Sequence, residues 1–368
     1  MHILQCYKTA RPLTMGGVEQ VMHHIASGLV ERGHQSTILT FSNQKEVQEI
    51  DYNGYRVVVA PATKEIASMP LSWKGFGVFK ELCLEADVVH YHYPFPLMDL
   101  MHLFYPHDKP CVMTYHSDIV KQKHLLKIYK PLQNYFLKRM NHIVATSPNY
   151  IKSSEVLKKF LSKVSCIPLG MEDKKNQTIA QEKLKDWQEK LPKRFLLFIG
   201  VFRYYKGLQY LFESLEGLDY PLVLIGDGPE KENLLALQKK LKLKNIYFLG
   251  SLDDEDKYAV LSLSHGVILP SHLRSEAFGL SLLEGAMFEK PLISCEIQTG
   301  TSFINQDELT GWVVNPNDHY SLRKALVSWE QEAEKSKELG KNARKQFLDL
   351  FQASKMVDAY MKLYDSFE

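Results

Sequence analysis

The chain has 368 residues, well beyond the roughly 150 typical of one domain, so two domains are expected. Hydrophobic residues make up 45% and charged residues 24%, which excludes a disordered, collagen-like or acidic solvating chain. Lys and Arg number 45 against 43 Asp and Glu, and a net charge of +2 gives no bulk attraction to nucleic acid, so an anionic partner must be engaged locally.

The opening Met1 to Tyr7 has no basic leader followed by a long apolar stretch, and no run of about 18 apolar residues follows anywhere. Neither a secretory signal nor a spanning helix is expected, and the expected location is cytoplasmic. Short apolar runs then alternate with longer segments of helical period, the pattern of a parallel sheet wrapped by helices. Strands are expected at 3–7, 36–41, 55–59, 87–90, 111–115, 142–146 and 164–167. A helix at 18–32 closes on Gly33, with Arg32 just inside its end. The polar, Lys- and Gln-rich stretch from 170 to 192 carries no strand signal and marks a junction. A second alternation follows, with strands at 195–200, 222–225, 246–249, 266–269 and 292–295, then helices at 320–331, 334–351 and 354–367. The five cysteines, Cys6, Cys83, Cys111, Cys166 and Cys295, are scattered and mostly sit in apolar runs, so they read as buried free thiols. The fold class is α/β, two doubly wound Rossmann-like domains facing across a cleft. Residues 1–170 form the first domain, with the last helix, 354–367, placed back on it, and 171–353 form the second.

In open parallel sheets, ligands bind where loops leave the carboxyl ends of strands. After the first strand, Gly16-Gly17 opens a helix, and two glycines let backbone approach a phosphate or sugar oxygen. After the second domain's first strand comes Gly200-Val201-Phe202-Arg203-Tyr204-Tyr205-Lys206-Gly207, in which Arg203 and Lys206 are placed to hold a diphosphate and stabilise it as it leaves. Further on, Glu276-Ala277-Phe278-Gly279-Leu280 leads into a helix bearing Glu284. Glu276 lies in the loop and Glu284 about two turns into the helix on nearly the same face, two acceptors for hydroxyl-rich parts of one ligand. The amides of Phe278, Gly279 and Leu280 face an anion. Asp253-Asp254 reads as the N-cap of a helix, not as part of an Asp-x-Asp metal motif.

In this combination the chain resembles, over essentially its whole length, the retaining family 4 glycosyltransferases of the GT-B fold. The resemblance implies that the Gly16-Gly17 loop belongs to the first domain's ligand site and that Lys206 and Arg203 hold the donor diphosphate. It also implies that Glu276 contacts the transferred hexose and Glu284 the nucleotide ribose, and Gly226-Asp227-Gly228-Pro229-Glu230 matches the family's loop after that domain's second strand. The family often has Arg where this chain has Val201, and Arg203 is read as supplying that cation. His116, in Thr114-Tyr115-His116-Ser117-Asp118, follows a strand, and the resemblance places such a His beside the transferred sugar. His90 and His92 read as loop packing and not as ligands.

The function expected is transfer of a hexose, mannose from GDP-mannose in preference to a UDP-hexose, to a glycan or lipid-linked acceptor in surface polysaccharide synthesis. No cofactor or metal is expected. From Ile119 to Ser154 there is no acidic residue, while Lys121, Lys123, Lys127, Lys130, Lys138, Arg139 and Lys152 interleave with apolar residues. This segment reads equally as a peripheral contact with an anionic membrane surface or as an ordinary amphipathic helix. The alternatives are a nucleotide-sugar epimerase of the same fold and an inactive nucleotide-sugar-binding scaffold.

Overall fold

In the computed structural model the chain divides into two compact units, Met1–Met171 with Ala353–Glu368, and Glu172–Gln352. The structure describes residues 1–66, 69–119 and 123–368, and the side chains of all of these except 64–66, 69 and 123–127.

The first unit contains β1 (His2–Cys6), β2 (Gln35–Ser42), β3 (Gln48–Tyr52), β4 (Tyr55–Pro61), β5 (Lys64–Ile66), β6 (Met69–Leu71), β7 (Val88–Tyr93), β8 (Cys111–Tyr115), β9 (His142–Ala145) and β10 (Val164–Cys166). Its main sheet runs β10-β9-β8-β7-β1-β2-β4-β3, while β5 and β6 pair separately. Every strand of the main sheet pairs in parallel except β3, which runs antiparallel to β4 at the edge. β2, β7 and β8 are buried along nearly their whole length, as expected where helices cover both faces, while β10 at the edge is half-buried. The helix Gly17–Glu31 packs against the helix Ala353–Asp365 at Gly28, where a Cβ would come within 2.6 Å of Val357. Arg32 adds an ion pair to Asp358 at 2.5 Å.

Two elements differ from expectation. The strand placed at 87–90 runs on to Tyr93 as β7, so His90 and His92 are buried strand residues and not loop packing. The edge strand β3 was missed because its residues are polar and largely exposed. Its local signal lies in Asn53-Gly54, where φ of 52° and 80° at successive residues makes the turn into β4.

The second unit contains β11 (Leu196–Ile199), β12 (Leu222–Ile225), β13 (Ile246–Gly250), β14 (Val267–Leu269), β15 (Leu292–Cys295) and β16 (Gly311–Val314). All pair in parallel in the order β13-β12-β11-β14-β15-β16. The order reverses between β11 and β14, the kind of position at which open α/β sheets bind ligands beyond the carboxyl ends of their strands. The junction stretch, which carries no strand signal, contains the helix Gln181–Lys190. All five cysteines are free, and Cys166 is half-buried where burial was expected.

Candidate active site

The loop after β11 carries Lys206 and the loop after β14 carries Glu276, one on each side of the reversal in strand order. Backbone contacts hold the first loop against the loop after β12. Phe202 N–H donates to Asp227 O at 2.8 Å, and Glu230 N–H donates to Phe202 O at 3.1 Å. At Gly226, φ is 136° and a Cβ would stand 2.1 Å from Gly200 O, so only glycine lets these backbones come so close. The Gly226-Asp227-Gly228 segment thus shapes the basic loop, and Asp227 pairs outward with Lys231 at 2.7 Å.

Lys206 Nζ donates to Glu276 Oε2, with both side chains almost fully covered at 12% and 11% exposure. Ser271 Oγ adds a bond to the same oxygen at 3.3 Å. Burial pulls the Lys206 ammonium down, and the Glu276 carboxylate with help from Tyr205 outweighs it, so the pKa of Lys206 stands above that of an ordinary lysine. The sequence assigns the two residues to different parts of one ligand; in the structure they pair with each other. Arg203 is exposed and forms no ion pair among the described residues. Val201, in the position the family often gives to Arg, is 49% exposed.

His272, beside this pair, drew no role from its sequence context. Its ring is buried between Tyr204 and Tyr210, edge to face at 5.0 and 5.2 Å, and neither ring nitrogen has a hydrogen-bond partner. Burial lowers its pKa.

The helix expected to carry Glu284 spans Leu280–Met287, so Glu284 is its fifth residue and lies little more than one turn in, not two. Glu276 stands outside that helix, set off by Gly279 at φ 96° and held by Thr299 Oγ1, which donates to Glu276 O at 2.8 Å. The amides of Phe278, Gly279, Leu280 and Ser281 have no partner among the described residues, nor has the buried Ser281 Oγ. This helix end therefore presents unused donors.

Glu284 pairs with Lys257 at 2.9 Å, the second buried cation–carboxylate pair of this unit and one the sequence reading missed. Burial lowers the Lys257 ammonium, but Glu284, with Tyr258 and Asp254, more than offsets it and the net shift is upward. Lys257 also reaches Asp254 at 2.8 Å. Asp253 caps the helix Asp254–Leu263 by accepting from Asp256 N. Asp254 and Asp256 do have Asp-x-Asp spacing, which the reading of this run as a cap passed over. Asp256 accepts from Trp187 Nε1 at 2.9 Å and pairs with Lys183 at 3.2 Å.

In the first unit, Gly16 is the extended N-cap of the helix Gly17–Glu31 and provides no side-chain cap. The Glu19 carboxylate folds over it, such that a Cβ at Gly16 would be 2.4 Å from Glu19 Oε2. A carboxylate already at this helix end suits a ligand hydroxyl better than a phosphate. His116 directly follows β8 and is buried, with Nε2 2.9 Å from His92 Nδ1. Burial pushes its pKa down to about 3, so the ring is neutral across the physiological range.

Within the basic segment, the helix Lys123–Arg139 buries Gln133, Phe136 and Leu137 and exposes Lys130, Lys138 and Arg139, with Ile128 80% exposed. Lys121 and the side chains of Lys123 and Lys127 lie outside the described residues. No helix among the described residues is long and apolar enough to cross a membrane. One group of potential metal ligands, His102, His107 and Cys111, has its ligand atoms within 4.8 Å of one another. The Tyr91 hydroxyl bonds both rings, at 2.9 Å to His102 and 3.2 Å to His107.

Comparison with known proteins agrees with this architecture. Sucrose-phosphate synthase from Thermosynechococcus elongatus superposes with a TM-score of 0.81 at 19% identity, covering 99% of this chain and 98% of that one. A structure of Anabaena HepE in complex with UDP and glucose gives 0.78 at 16% identity, with 100% of both chains covered. The fold is that of the GT-B glycosyltransferases. Residues 15–174 match the family model described as Glycosyltransferase Family 4, and residues 180–346 match Glycosyl transferases group 1. The chain is 46% identical to O-antigen chain mannosyltransferase C of Escherichia coli, covering 99% of this chain and 98% of that protein. It is 44% identical to the D-rhamnosyltransferase WbpZ of Pseudomonas aeruginosa, covering 96% and 93%. The chain belongs to the family 4 glycosyltransferases and is an enzyme of that class.

Proposed function

We propose that this glycosyltransferase moves mannose from GDP-mannose, with retention at the anomeric carbon, to a hydroxyl of a glycan or lipid-linked acceptor in surface polysaccharide synthesis. The observation that carries the site assignment is the buried Lys206–Glu276 pair at the reversal of strand order, beside a helix end with unused amides. Donor choice is supported by the two full-length relatives, whose names specify mannosyl and D-rhamnosyl transfer. D-Rhamnose is 6-deoxymannose, so both sugars share one ring configuration and differ only at C6.

When the bond between the anomeric carbon and the β-phosphate oxygen breaks, negative charge develops on the diphosphate and positive charge on the sugar ring. Lys206, Arg203 and the amides of 278–281 stabilise the diphosphate, and Glu276 orients the sugar through its hydroxyls. His116 accepts a hydrogen bond from a substrate hydroxyl. The acceptor oxygen attacks from the face that the phosphate leaves, and the departing phosphate oxygen takes the acceptor's proton. One C–O bond replaces another and GDP is released.

Purified protein offered GDP-mannose, GDP-D-rhamnose and UDP-glucose with an acceptor tests this reading. Turnover is expected with GDP-mannose, and a D-rhamnosyl donor used in its place favours the second reading that the 44% identical relative supports. Preference for the UDP-hexose overturns both. Conversion of the donor to an isomer with no acceptor present identifies an epimerase instead, and binding without turnover identifies a scaffold.

Glu284 is assigned to the nucleotide ribose. Glu284→Gln is expected to raise the donor KM roughly 10-fold with kcat changed little, because a hydrogen bond to a charged group contributes about 1.5–3 kcal/mol. Initial rates against donor concentration check this; an unchanged KM removes Glu284 from the donor site.

The enzyme is further assigned a cytoplasmic location, peripheral on the inner face of the plasma membrane. The support is the acid-free helix Lys123–Arg139, with Ile128, Lys130, Lys138 and Arg139 outward. Each basic residue at an anionic surface contributes on the order of 1 kcal/mol. Co-sedimentation with phosphatidylglycerol vesicles, weakened by salt and absent with phosphatidylcholine, is the expected result.

A further inference from the structure

His92 touches His116, the one first-unit side chain given a place at the substrate. The contacts form a chain whose proton positions are determined at one end. Gln5 Nε2 donates to the carbonyl of Met22 at 3.2 Å, so Gln5 Oε1 faces His92 Nε2 at 3.0 Å. The flipped amide would set two oxygens against each other at Met22. An amide oxygen only accepts, so His92 Nε2 carries a proton. A neutral His92 then has a bare Nδ1, which accepts from His116 Nε2–H across 2.9 Å. His116 is left with an unprotonated Nδ1, which has no partner among the described residues.

Neutrality follows from the surroundings. Burial lowers the pKa of His92 far below the usual imidazole value, and the neighbouring His90 and His116 lower it further. The His90 and His92 rings lie 4.4 Å apart, and the His92 and His116 rings are stacked at 5.2 Å with 17° between their planes. Burial likewise pushes His90 down to about 3, and its own nitrogens are taken up by Thr114 Oγ1 and the Tyr364 hydroxyl, each at 2.7 Å.

We propose that Gln5 and His92 are positioning residues that hold His116 in the Nε2–H tautomer, so that Nδ1 is a fixed acceptor for a substrate hydroxyl. This rests on the assignment of His116 to the substrate. The relay acts only through His116, because Gln5 is fully buried and His92 is 1% exposed, so neither can reach a ligand itself.

The test compares His92→Leu with His92→Asn, whose side-chain oxygen can take the place of Nδ1 as acceptor. Nitrogen-15 NMR of ring-labelled histidine, with His116 assigned through His116→Gln, reads the tautomer without substrate. The wild type and His92→Asn are expected to show His116 protonated at Nε2, and His92→Leu a mixture. Transfer by His92→Leu is expected to fall about 10- to 100-fold in kcat/KM, in line with the loss of other outer partners that orient a functional imidazole, and His92→Asn to recover most of it. An Nδ1–H tautomer in the wild type overturns the relay, as does full activity in His92→Leu when His116→Ala is impaired. Full activity in His116→Ala overturns the assignment on which the relay rests, whatever tautomer is observed.

Discussion

Lys206→Ala is expected to lower kcat/KM for transfer by roughly 10²- to 10³-fold, the cost typical of removing one preorganised donor from a developing anion. The loss has two parts. The leaving diphosphate gives up a cation with little exposure to water, and Glu276 is left 11% exposed without its charge partner. A double-mutant cycle separates them. Because Glu276→Ala removes the same ion pair, the double variant is expected to lose clearly less than the sum of the two single losses. Lys206→Arg does not rescue fully, since a planar fork cannot reproduce a point charge in a space shaped for one ammonium. Steady-state rates of the variants with saturating acceptor decide the matter. Near wild-type transfer by Lys206→Ala would remove this residue from the donor site.

Gly207→Ala is expected to unsettle the same corner by a different route. Gly207 has φ 73°, a left-handed conformation that costs a residue with a Cβ about 1–2 kcal/mol. Its Cβ would also stand 2.0 Å from the carbonyl oxygen of Pro270, where the obstacle is backbone that cannot rotate away. Relieving that contact moves the loop after β11 away from the loop after β14, adding roughly 1–3 kcal/mol. The sum corresponds to a fall of about 10 °C in the melting temperature of a unit of this size. Calorimetry on the full chain should show the loss, and transfer should fall with it because Lys206 is the adjoining residue. An unchanged melting temperature would mean that the two loops are not in close register.

Much of this was legible in the sequence. Parallel strands covered on both faces are written as short, unbroken apolar runs, and β8, β12 and β15 begin and end where those runs do. Lys206, Glu276 and Glu284 are visible as residue types placed after strands. Their pairings are not, because the partners are 70 residues apart for Lys206 and Glu276 and come from different loops. Lys257 has no local mark at all, since a lysine in the first turns of a polar helix looks like any solvated cation. The expected strand stops at His90, whereas β7 runs on to Tyr93, because the alternating imidazoles of His90 and His92 read as polar. What makes them burial-compatible is supplied by Gln5 on β1, Thr114 on β8 and Tyr364 near the C-terminus, none of them neighbours in sequence. β3 is different in kind, since its mark in the sequence is the Asn53-Gly54 turn and not an apolar run.

If Lys206 and Glu276 hold the donor as proposed, their mutual neutralisation bears on which molecules they accept. A simple anion such as inorganic phosphate must compete with a carboxylate already in place, and success would strand that carboxylate in a covered position. A polyol faces the converse difficulty at the ammonium. Only a molecule that brings negative charge and hydroxyl groups together, at the separation a glycosyl diphosphate provides, leaves both partners satisfied. On the donor assignment proposed above, the corner is expected to work as a two-input gate, quiet toward free phosphate or free sugar and responsive to their covalent combination.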